Sequence, residues 1–389
     1  MSTAQQTALQ HVLNLIDERQ DDIVAFAAEL IRQPSVNPDL EPNEDAERPA
    51  QEWLRDQLTA SGGFDAIDYW EMAANRPNVV AMRTGAGGGR SLMWCAHTDV
   101  VPVTPEQADQ WQGAGPFSGE VRDGKLWGRG ASDMKGAIAA YVMAADMLRQ
   151  AGVRLRGDLT LAQVVGEEAG RRDIGCNTVL ERGHRADMAI FPEPSNFNIY
   201  PTIKGELYFK LTVPGKSTHI CNRHLVAQPL PYGVERPGVS AIDNMLKYQL
   251  AILDLEKQWN LWRSNPHVPP GGMFININTM RAGTSLTSIP DSAEATGSLL
   301  FNPDLTGEEV MAEIRATIDR VTESDYWLRE HPPILDLPLD AASAAPWIKE
   351  PVDLPHDHPI VQTIQTVMRD LTGETPEPTI SPFVCDANF

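Results

Sequence analysis

Short apolar runs, each bounded by turn residues, recur through the first half of the chain. They occupy residues 91–96 (SLMWCA), 159–165 (LTLAQVV) and 188–191 (MAIF). Continuous runs of this length predict buried strands of a parallel sheet. A longer apolar stretch at 137–145 (AIAAYVMAA) predicts a buried helix between the first two strands. The alternation over residues 1–204 therefore predicts an α/β domain with a mostly parallel sheet flanked by helices.

The hydrophobic pattern changes after residue 204. Residues 206–213 alternate between apolar and polar side chains, as expected for a strand with one buried face. The elements that follow are a helix, two strands and a second helix, at residues 239–255, 273–278, 293–301 and 306–321. This order predicts a small α+β sandwich inserted over residues 205–325. A helical pattern near the C-terminus then predicts that residues 326–389 return to the first domain.

Side chains that can bind metal stand where the apolar runs break into glycine or proline. They are His97, Asp133, the adjacent pair Glu167 and Glu168, and Glu193. Ligand sites of open α/β sheets form at the carboxyl ends of the strands, so these side chains are expected to meet there. Imidazole nitrogen and carboxylate oxygen suit zinc, manganese and cobalt. One of two adjacent glutamates can hold a metal while the other moves a proton, which predicts a metal-dependent hydrolase.

Each of these motifs has an alternative interpretation when it is taken alone. An isolated His-x-Asp, here His97 and Asp99, is usually a hydrogen bond in a core or on a surface. Two adjacent glutamates are usually a solvated helix start, where the helix dipole favours negative charge. A histidine in a turn near glycine, such as His219, is commonly structural. The metal-site interpretation depends on all the segments occurring together.

Composition limits the class of protein and its partners. A chain of 389 residues is long enough for two domains. Its formal charge of −21 argues against nucleic acid as a partner. The four cysteines show no paired spacing, which indicates reduced thiols. The N-terminal segment has neither a basic nor an apolar signal region, so we expect a cytoplasmic protein that does not insert into a membrane.

Four segments together resemble a known enzyme family. They are residues 96–102 (AHTDVVP), 128–136 (GRGASDMKG), 166–168 (GEE) and 193–195 (EPS). In this order and spacing they are similar to the dinuclear zinc amidohydrolases and peptidases, the family of acetylornithine deacetylase, succinyl-diaminopimelate desuccinylase, aminoacylase and carboxypeptidase G. The resemblance implies that the inserted sandwich is a lid and dimerisation domain, that the protein is a homodimer, and that its substrate is a small molecule.

The resemblance assigns a role to each metal ligand. It implies a cofactor of two divalent metal ions, with zinc first and manganese or cobalt as alternatives. His97 and Glu193 are expected to hold one metal each. Asp133 is expected to bridge both metals, and Glu168 to bind the metal opposite His97. The peptide bond after Asp133 is expected to be cis, as it is in such proteins.

The resemblance also implies the catalytic groups. Glu167 is expected to act as general base, and then as acid, in the attack of a metal-bridging hydroxide on an amide carbonyl. Asp99 is expected to orient the imidazole of His97. His219 is expected to donate a hydrogen bond to the oxyanion, and in relatives this histidine often reaches across from a second subunit.

The sequence indicates the substrate less clearly than it indicates the type of reaction. The lid segment favours deacylation of an N-acyl amino acid. The alternatives are a carboxypeptidase or dipeptidase, a hydrolase of another small aromatic or aliphatic C–N bond, and a non-catalytic relative that binds a small molecule. Many relatives place an arginine at the position of Leu300 to hold a substrate carboxylate. Arg281, Lys204 and Arg223 are the candidates to replace that arginine in substrate binding.

The family supplies a last histidine ligand near the C-terminus, and this chain has no counterpart for it. His356 and His358 lie too early and precede a helical pattern. The segment that ends at Phe389 resembles the region several dozen residues before that histidine. We therefore expect that the natural chain is longer, and the alternative is that the second metal lacks this ligand.

Overall fold

The computed structural model describes residues 3–108, 110–111, 113–227, 234–339 and 348–388. Contacts between Cα atoms divide the chain into two compact units. The first unit extends to Asn198 and includes Cys385–Ala387, and the second extends from Ile199 to Val384 and includes Asn388. Within the described ranges, no helix is both long enough and apolar enough to cross a membrane.

The first unit alternates helices and strands. Its helices are α1 (Thr3–Glu18), α2 (Gln20–Ile31), α3 (Arg48–Ser61), α4 (Pro105–Ala108), α5 (Lys135–Gln150) and α6 (Cys176–Glu181). Its strands are β1 (Ala66–Ala73), β2 (Arg76–Arg83), β3 (Leu92–His97), β4 (Glu120–Arg122), β5 (Lys125–Trp127), β6 (Leu159–Val164) and β7 (Met188–Ile190). The three apolar runs predicted as strands correspond to β3, β6 and β7, and the predicted helix lies within α5.

The sheet of the first unit has the order β1-β2-β6-β3-β7. β3 pairs in parallel with β6 and β7, while β2 runs antiparallel to β1 and β6. Four of these five strands therefore run in one direction, which confirms the predicted mostly parallel sheet. Helices α2, α3 and α5 cover one face through residues such as Leu30, Leu54 and Ile138. Helix α6 packs on the opposite face through Cys176 and Val179.

The second unit is built around an antiparallel sheet. Its strands are β8 (Thr202–Ile203), β9 (Gly205–Pro214), β10 (Thr218–His219), β11 (Phe274–Ala282), β12 (Ser288–Ile289), β13 (Ser292–Phe301), β14 (Ile334–Asp336), β15 (Ile348–Lys349) and β16 (Val352–Asp353). Its helices are α7 (Arg223–Ala227), α8 (Ala241–Trp262), α9 (Gly307–Ser324) and α10 (Pro359–Thr372). The sheet order is β11-β13-β9-β14, and β15 also pairs with β9.

One face of this sheet carries the core of the second unit. Along β9 and β13 buried residues alternate with half-buried ones. Helices α8 and α9 pack on the buried face through Tyr248, Ile252 and Ile314. The chain order β9, α8, β11, β13, α9 is the predicted one, so the α+β sandwich is confirmed.

The division by contacts differs from the predicted domain boundaries. β8 pairs with β16, and Thr202 also forms a bridge with Ile380, so the residues just before 205 group with the second unit. Helix α10 groups with the second unit as well, whereas residues 326–389 were expected to return to the first domain. The boundaries after residues 204 and 325 stay a prediction.

Candidate metal centre

The carboxyl end of the first unit's sheet gathers the predicted metal ligands. His97 is the last residue of β3, and Glu193 lies in the loop after β7. Glu167 and Glu168 follow β6 in a 3-10 turn that begins after Gly166. Gly166 adopts a φ of 89°, a left-handed conformation that glycine reaches without strain, and it turns the chain directly after the strand.

Asp133 reaches the same place from the start of α5. Its Oδ1 atom lies 3.2 Å from Nε2 of His97. The same Nε2 atom lies 3.8 Å from Oε2 of Glu193 and 4.0 Å from Oε2 of Glu167. One ligand atom from each of His97, Asp133 and Glu168 lies within 4.8 Å of the other two. The Asp133–Met134 peptide bond is cis, which confirms that prediction.

The hydrogen bonds of the cluster fit a bound cation. Nδ1 of His97 lies 2.9 Å from the backbone carbonyl oxygen of Asp99, which can only accept, so Nδ1 carries a proton. In the neutral ring Nε2 then presents a lone pair toward Asp133. Oδ1 of Asp133 is itself buried and accepts no hydrogen bond from the described residues. A cation between these two atoms stabilises the arrangement, whether it is a proton on Nε2 or a metal ion in its place, and imidazole with carboxylates is the ligand set that zinc, manganese and cobalt accept.

Electrostatics agree with a site for positive charge. Burial lowers the pKa of His97, but the surrounding carboxylates, led by Asp133 and Glu193, outweigh it and raise that pKa well above its usual value. Burial raises the pKa of Glu168 to about 7, with His97 opposing and Asp133 adding to the rise. Burial lowers the pKa of Lys135 to about 7, although the negative charge of Asp99 opposes this. The site concentrates negative charge around the buried imidazole of His97, with Glu167 and Glu193 largely buried and the Asp133 side chain 48% exposed.

Asp99 makes contacts beyond the one that was predicted. Its carboxylate Oδ1 lies 3.6 Å from Nδ1 of His97, farther than the Asp99 backbone carbonyl. The carboxylate accepts hydrogen bonds from the backbone N–H groups of Gly166, Glu167 and Glu168, at 2.9, 3.3 and 3.0 Å. Asp99 therefore contacts the glutamate turn through its side chain and the imidazole through its main chain.

Four predicted residues belong to the second unit, and one of them, Arg223, donates to Oδ2 of Asp243 at 3.3 Å. His219 ends β10, and its Nδ1 accepts a hydrogen bond of 3.2 Å from the N–H of Cys221. The neutral ring then carries its proton on Nε2, where it can donate. Arg281 is exposed on β11, opposite Glu294 of β13. The Nζ atom of Lys204 lies 5.6 Å from the ring centroid of Phe274. The roles of these residues stay predictions.

Asn37 lies beside the centre, although the sequence pattern does not single it out. Its Nδ2 donates to Oδ2 of Asp99 at 2.7 Å, and both side chains are fully buried. The pair is separated by 62 residues along the chain, and Asn37 lies in a loop before Pro38. An asparagine beside a proline usually indicates a turn, so the local sequence gave no sign of this contact.

Comparison with known proteins places the chain among related sequences. A family model described as "Peptidase family M20/M25/M40" matches residues 93–389. The N-formyl-4-amino-5-aminomethyl-2-methylpyrimidine deformylase of Halalkalibacterium halodurans is 29% identical over 391 residues, which cover 98% of this chain and 87% of the relative. The succinyl-diaminopimelate desuccinylase of Alkalilimnicola ehrlichii is 30% identical over 381 residues, which cover 95% and 87%.

The fold has counterparts among solved structures. A dinuclear metal binding peptidase from Bacillus subtilis, of the M20 family, superposes with a TM-score of 0.62 at 15% sequence identity. The superposition covers 96% of this chain and 85% of that chain. At this level of identity the likeness concerns the fold.

Proposed function

The chain belongs to peptidase family M20/M25/M40 and is a metal-dependent hydrolase, and on that premise we propose that it removes the acyl group from a small N-acylated amine. The observation that carries the proposal is the meeting of His97, Asp133 and Glu168 within 4.8 Å. Relatives named for removing formyl and succinyl groups support it. The alternative of a non-catalytic binding protein is disfavoured because Glu167 is present beside the cluster.

We assign the metal-holding role to four side chains. His97, Asp133, Glu168 and Glu193 would hold two divalent ions, zinc first and manganese or cobalt as alternatives. The 3.8 Å between His97 and Glu193 favours their sharing one ion, rather than holding one each. Ions bound there would supply Lewis-acid polarisation of the scissile carbonyl and acidify the attacking water.

Glu167 is the residue that we assign to proton transfer. Its carboxylate lies at the edge of the cluster, with 13% of the side chain exposed. It would take a proton from the attacking water as the new C–O bond forms. It would then give that proton to the leaving nitrogen as the C–N bond breaks, so that the products are a carboxylic acid and an amine. Nε2 of His219 would donate to the oxyanion.

The predicted first substrate class is an N-acyl amino acid. Leu300 favours a second candidate, an N-formyl aromatic amine without an α-carboxylate. The family resemblance puts Leu300 of β13 at about the strand position where many relatives have a carboxylate-binding arginine. Leu300 pairs with Phe274 of β11. An apolar pair at that position supplies no partner for a carboxylate. If the substrate does carry a carboxylate, Arg281 and Lys204 would provide the positive charge that binds it.

A panel of substrates tests the proposed function. The purified protein, supplied with zinc, manganese or cobalt, is assayed for amine release from an N-formyl aminomethylpyrimidine, N-succinyl-diaminopimelate, N-acetyl amino acids and dipeptides. We expect turnover of at least one acylated amine. Glu167→Gln is expected to lower kcat by roughly a hundredfold or more while metal content is unchanged. Glu181→Gln, an exposed glutamate at the end of α6, is the matched control.

The outcomes of the panel separate the candidates. Cleavage of dipeptides without deacylation would replace the deacylase with a peptidase. Absence of amine release with every metal and substrate would remove the proposal. A Glu167→Gln variant that turns over normally would show that another group is the base.

We also propose a homodimer in the cytoplasm. Helix α8 exposes an apolar stripe formed by Ile242, Leu246, Leu250 and Leu253. Among the described strands, β11 pairs on one side only, with β13, so its other edge is available for pairing. Within the described ranges no cysteine forms a disulfide, which agrees with a reducing compartment.

A further inference from the structure

The turn that carries Glu167 and Glu168 is held by the carboxylate of Asp99. Three successive backbone N–H groups, those of Gly166, Glu167 and Glu168, donate to the two oxygens of this carboxylate. The orientation of the two glutamate side chains therefore depends on where the Asp99 carboxylate stands. Hydrogen bonds between N–H groups and an ionised carboxylate are among the stronger ones in proteins.

Asn37 supplies the fourth donor to that carboxylate. Its Nδ2 lies 2.7 Å from Oδ2 of Asp99. Its Oδ1 accepts the N–H of Asp39 at 3.0 Å, which fixes which end of the amide faces Asp99. Because the Asn37 side chain is fully buried, water does not compete for this bond.

The backbone on either side of Asn37 is anchored to the loop after β3. The Asn37 N–H donates to the carbonyl oxygen of Val100, and the Val100 N–H donates to that of Ser35, both at 3.0 Å. The hydroxyl of Ser35 donates to the carbonyl oxygen of Thr98 at 2.6 Å. This short parallel pairing fixes Asn37 relative to Asp99 at the level of the main chain.

Two arginines anchor the residue that orients the Asn37 amide. The carboxylate of Asp39 receives a hydrogen bond from the buried Arg76. A longer contact of 3.4 Å joins the same carboxylate to Arg171, which lies just after the glutamate turn. The path from the arginines through Asp39, Asn37 and Asp99 therefore ends at the base of the glutamate side chains.

We propose that Asn37 is a positioning residue for Glu167, acting through the Asp99 carboxylate. The inference rests on the proposed role of Glu167 as the base. Without the amide donor, the carboxylate is free to turn away from the N–H groups of the glutamate turn. The general base then occupies its productive geometry for a smaller fraction of the time, which lowers kcat more than it changes KM.

Asn37→Ala tests the proposal by kinetics and by hydrogen exchange. We expect kcat to fall roughly ten- to a hundredfold with KM within about twofold, the size expected for a lost hydrogen bond to a charged group. Exchange of the amide hydrogens of residues 166–168 is expected to accelerate. Asn43→Ala is the matched control, because Asn43 ties the same loop through the carbonyl oxygen of Val36 without touching Asp99.

Asn37→Asp supplies a readout that a structural role alone does not move. The new carboxyl can donate to Asp99 only when it is protonated. The ratio of variant kcat to wild-type kcat is therefore expected to rise as the pH falls. If Asn37→Ala fails to fold, this pH dependence decides the question.

Three results would overturn the proposal. They are unchanged exchange at residues 166–168 in Asn37→Ala, a loss of kcat that is fully accounted for by lost metal, and a kcat ratio for Asn37→Asp that does not vary with pH. Failure of the proposed function is distinguishable from these, because the exchange measurement needs no substrate. If the protein shows no activity but exchange at residues 166–168 accelerates in Asn37→Ala, the role of Glu167 as the base is contradicted. The structural link from Asn37 through Asp99 to the glutamate turn is then retained.

Discussion

Asp133 is the side chain on which metal binding should depend most, because its buried Oδ1 accepts no hydrogen bond from the described residues and faces His97. Asp133→Asn removes the charge while keeping the shape. We expect metal affinity to fall by more than about a hundredfold, a larger loss than is typical for residues outside the ligand shell. Elemental analysis after dialysis and calorimetric titration with zinc measure this. Asp123→Asn, in an exposed turn, is the control and should bind metal normally.

A buried ion pair supports the same end of the sheet. Nε of Arg76 donates to both carboxylate oxygens of Glu47, at 3.1 and 2.9 Å, and both side chains are buried. Arg76→Met removes the partner of both Glu47 and Asp39, and we expect a loss of about 3–5 kcal/mol in the free energy of unfolding. Denaturant titration measures it. Arg55→Met, which removes an exposed pair with Asp56, should cost less than about 1 kcal/mol. Equal losses in the two variants would contradict this account.

At the residue scale, the places of the candidate ligands could be predicted better than those of the residues that support them. His97, Glu168 and Glu193 each follow an apolar run that indicates a strand end, whereas their role as ligands stays a prediction. Asn37 could not be found in this way, since its contact with Asp99 joins a loop to a strand end across 62 residues.

The start of helix α9 can be predicted from the local sequence. Thr306 accepts from the N–H of Glu309, and the Glu309 side chain accepts from the N–H of Thr306, which completes a capping box. Thr306→Ala is expected to cost about 1 kcal/mol in the free energy of unfolding, measured by denaturant titration. Glu309→Gln preserves the reciprocal bond and should cost less. If Thr306→Ala leaves the free energy of unfolding unchanged, packing alone sets the start of the helix.

Elements without a clear period escaped prediction. β1 lies at the edge of its sheet, and its residues mix exposed, half-buried and buried positions without regular alternation. No period of two is visible in such a strand, although its partner β2 is largely buried. Helix α8 also extends beyond its predicted end at residue 255. The hydrophobic pattern does not reveal this, because the last two turns, from Glu256 to Trp262, are mostly polar or exposed. Burial by neighbours, which a sequence pattern does not contain, defines these elements.

At the scale of the molecule, the domain division depends on pairings between distant segments. β8 belongs with the second unit because it pairs with β16, about one hundred and fifty residues later. The change of hydrophobic pattern after residue 204 indicates where the sheet of the sandwich begins, and it carries no information about β8. A sequence pattern locates elements, whereas the grouping of elements depends on contacts between them.

The apolar stripe of α8 leads to a prediction about assembly. Its residues Ile242, Leu246, Leu250 and Leu253 recur at helical spacing on an exposed face of α8, distinct from the face that buries Met245, Tyr248 and Ile252. A helix that is apolar on both sides has a second partner in most soluble proteins. The edge of β11 offers backbone groups for pairing with a second copy of the same strand, and such a symmetric contact suits a homodimer.

Leu250→Glu tests this arrangement, because it places a charge at the centre of the stripe, where Leu250 is 66% exposed. We expect wild-type protein to have the mass of a dimer by light scattering and Leu250→Glu to shift it toward a monomer, since a buried unpaired charge at an interface is costly. Leu371→Glu is the control, because Leu371 is 64% exposed on α10 and lies outside the stripe. A monomeric wild-type protein, or a Leu250→Glu variant that remains dimeric, would contradict the proposal that the stripe forms a dimer contact. If the dimer also proves necessary for turnover, Leu250→Glu should lose activity while its metal content stays normal, which would separate assembly from metal binding.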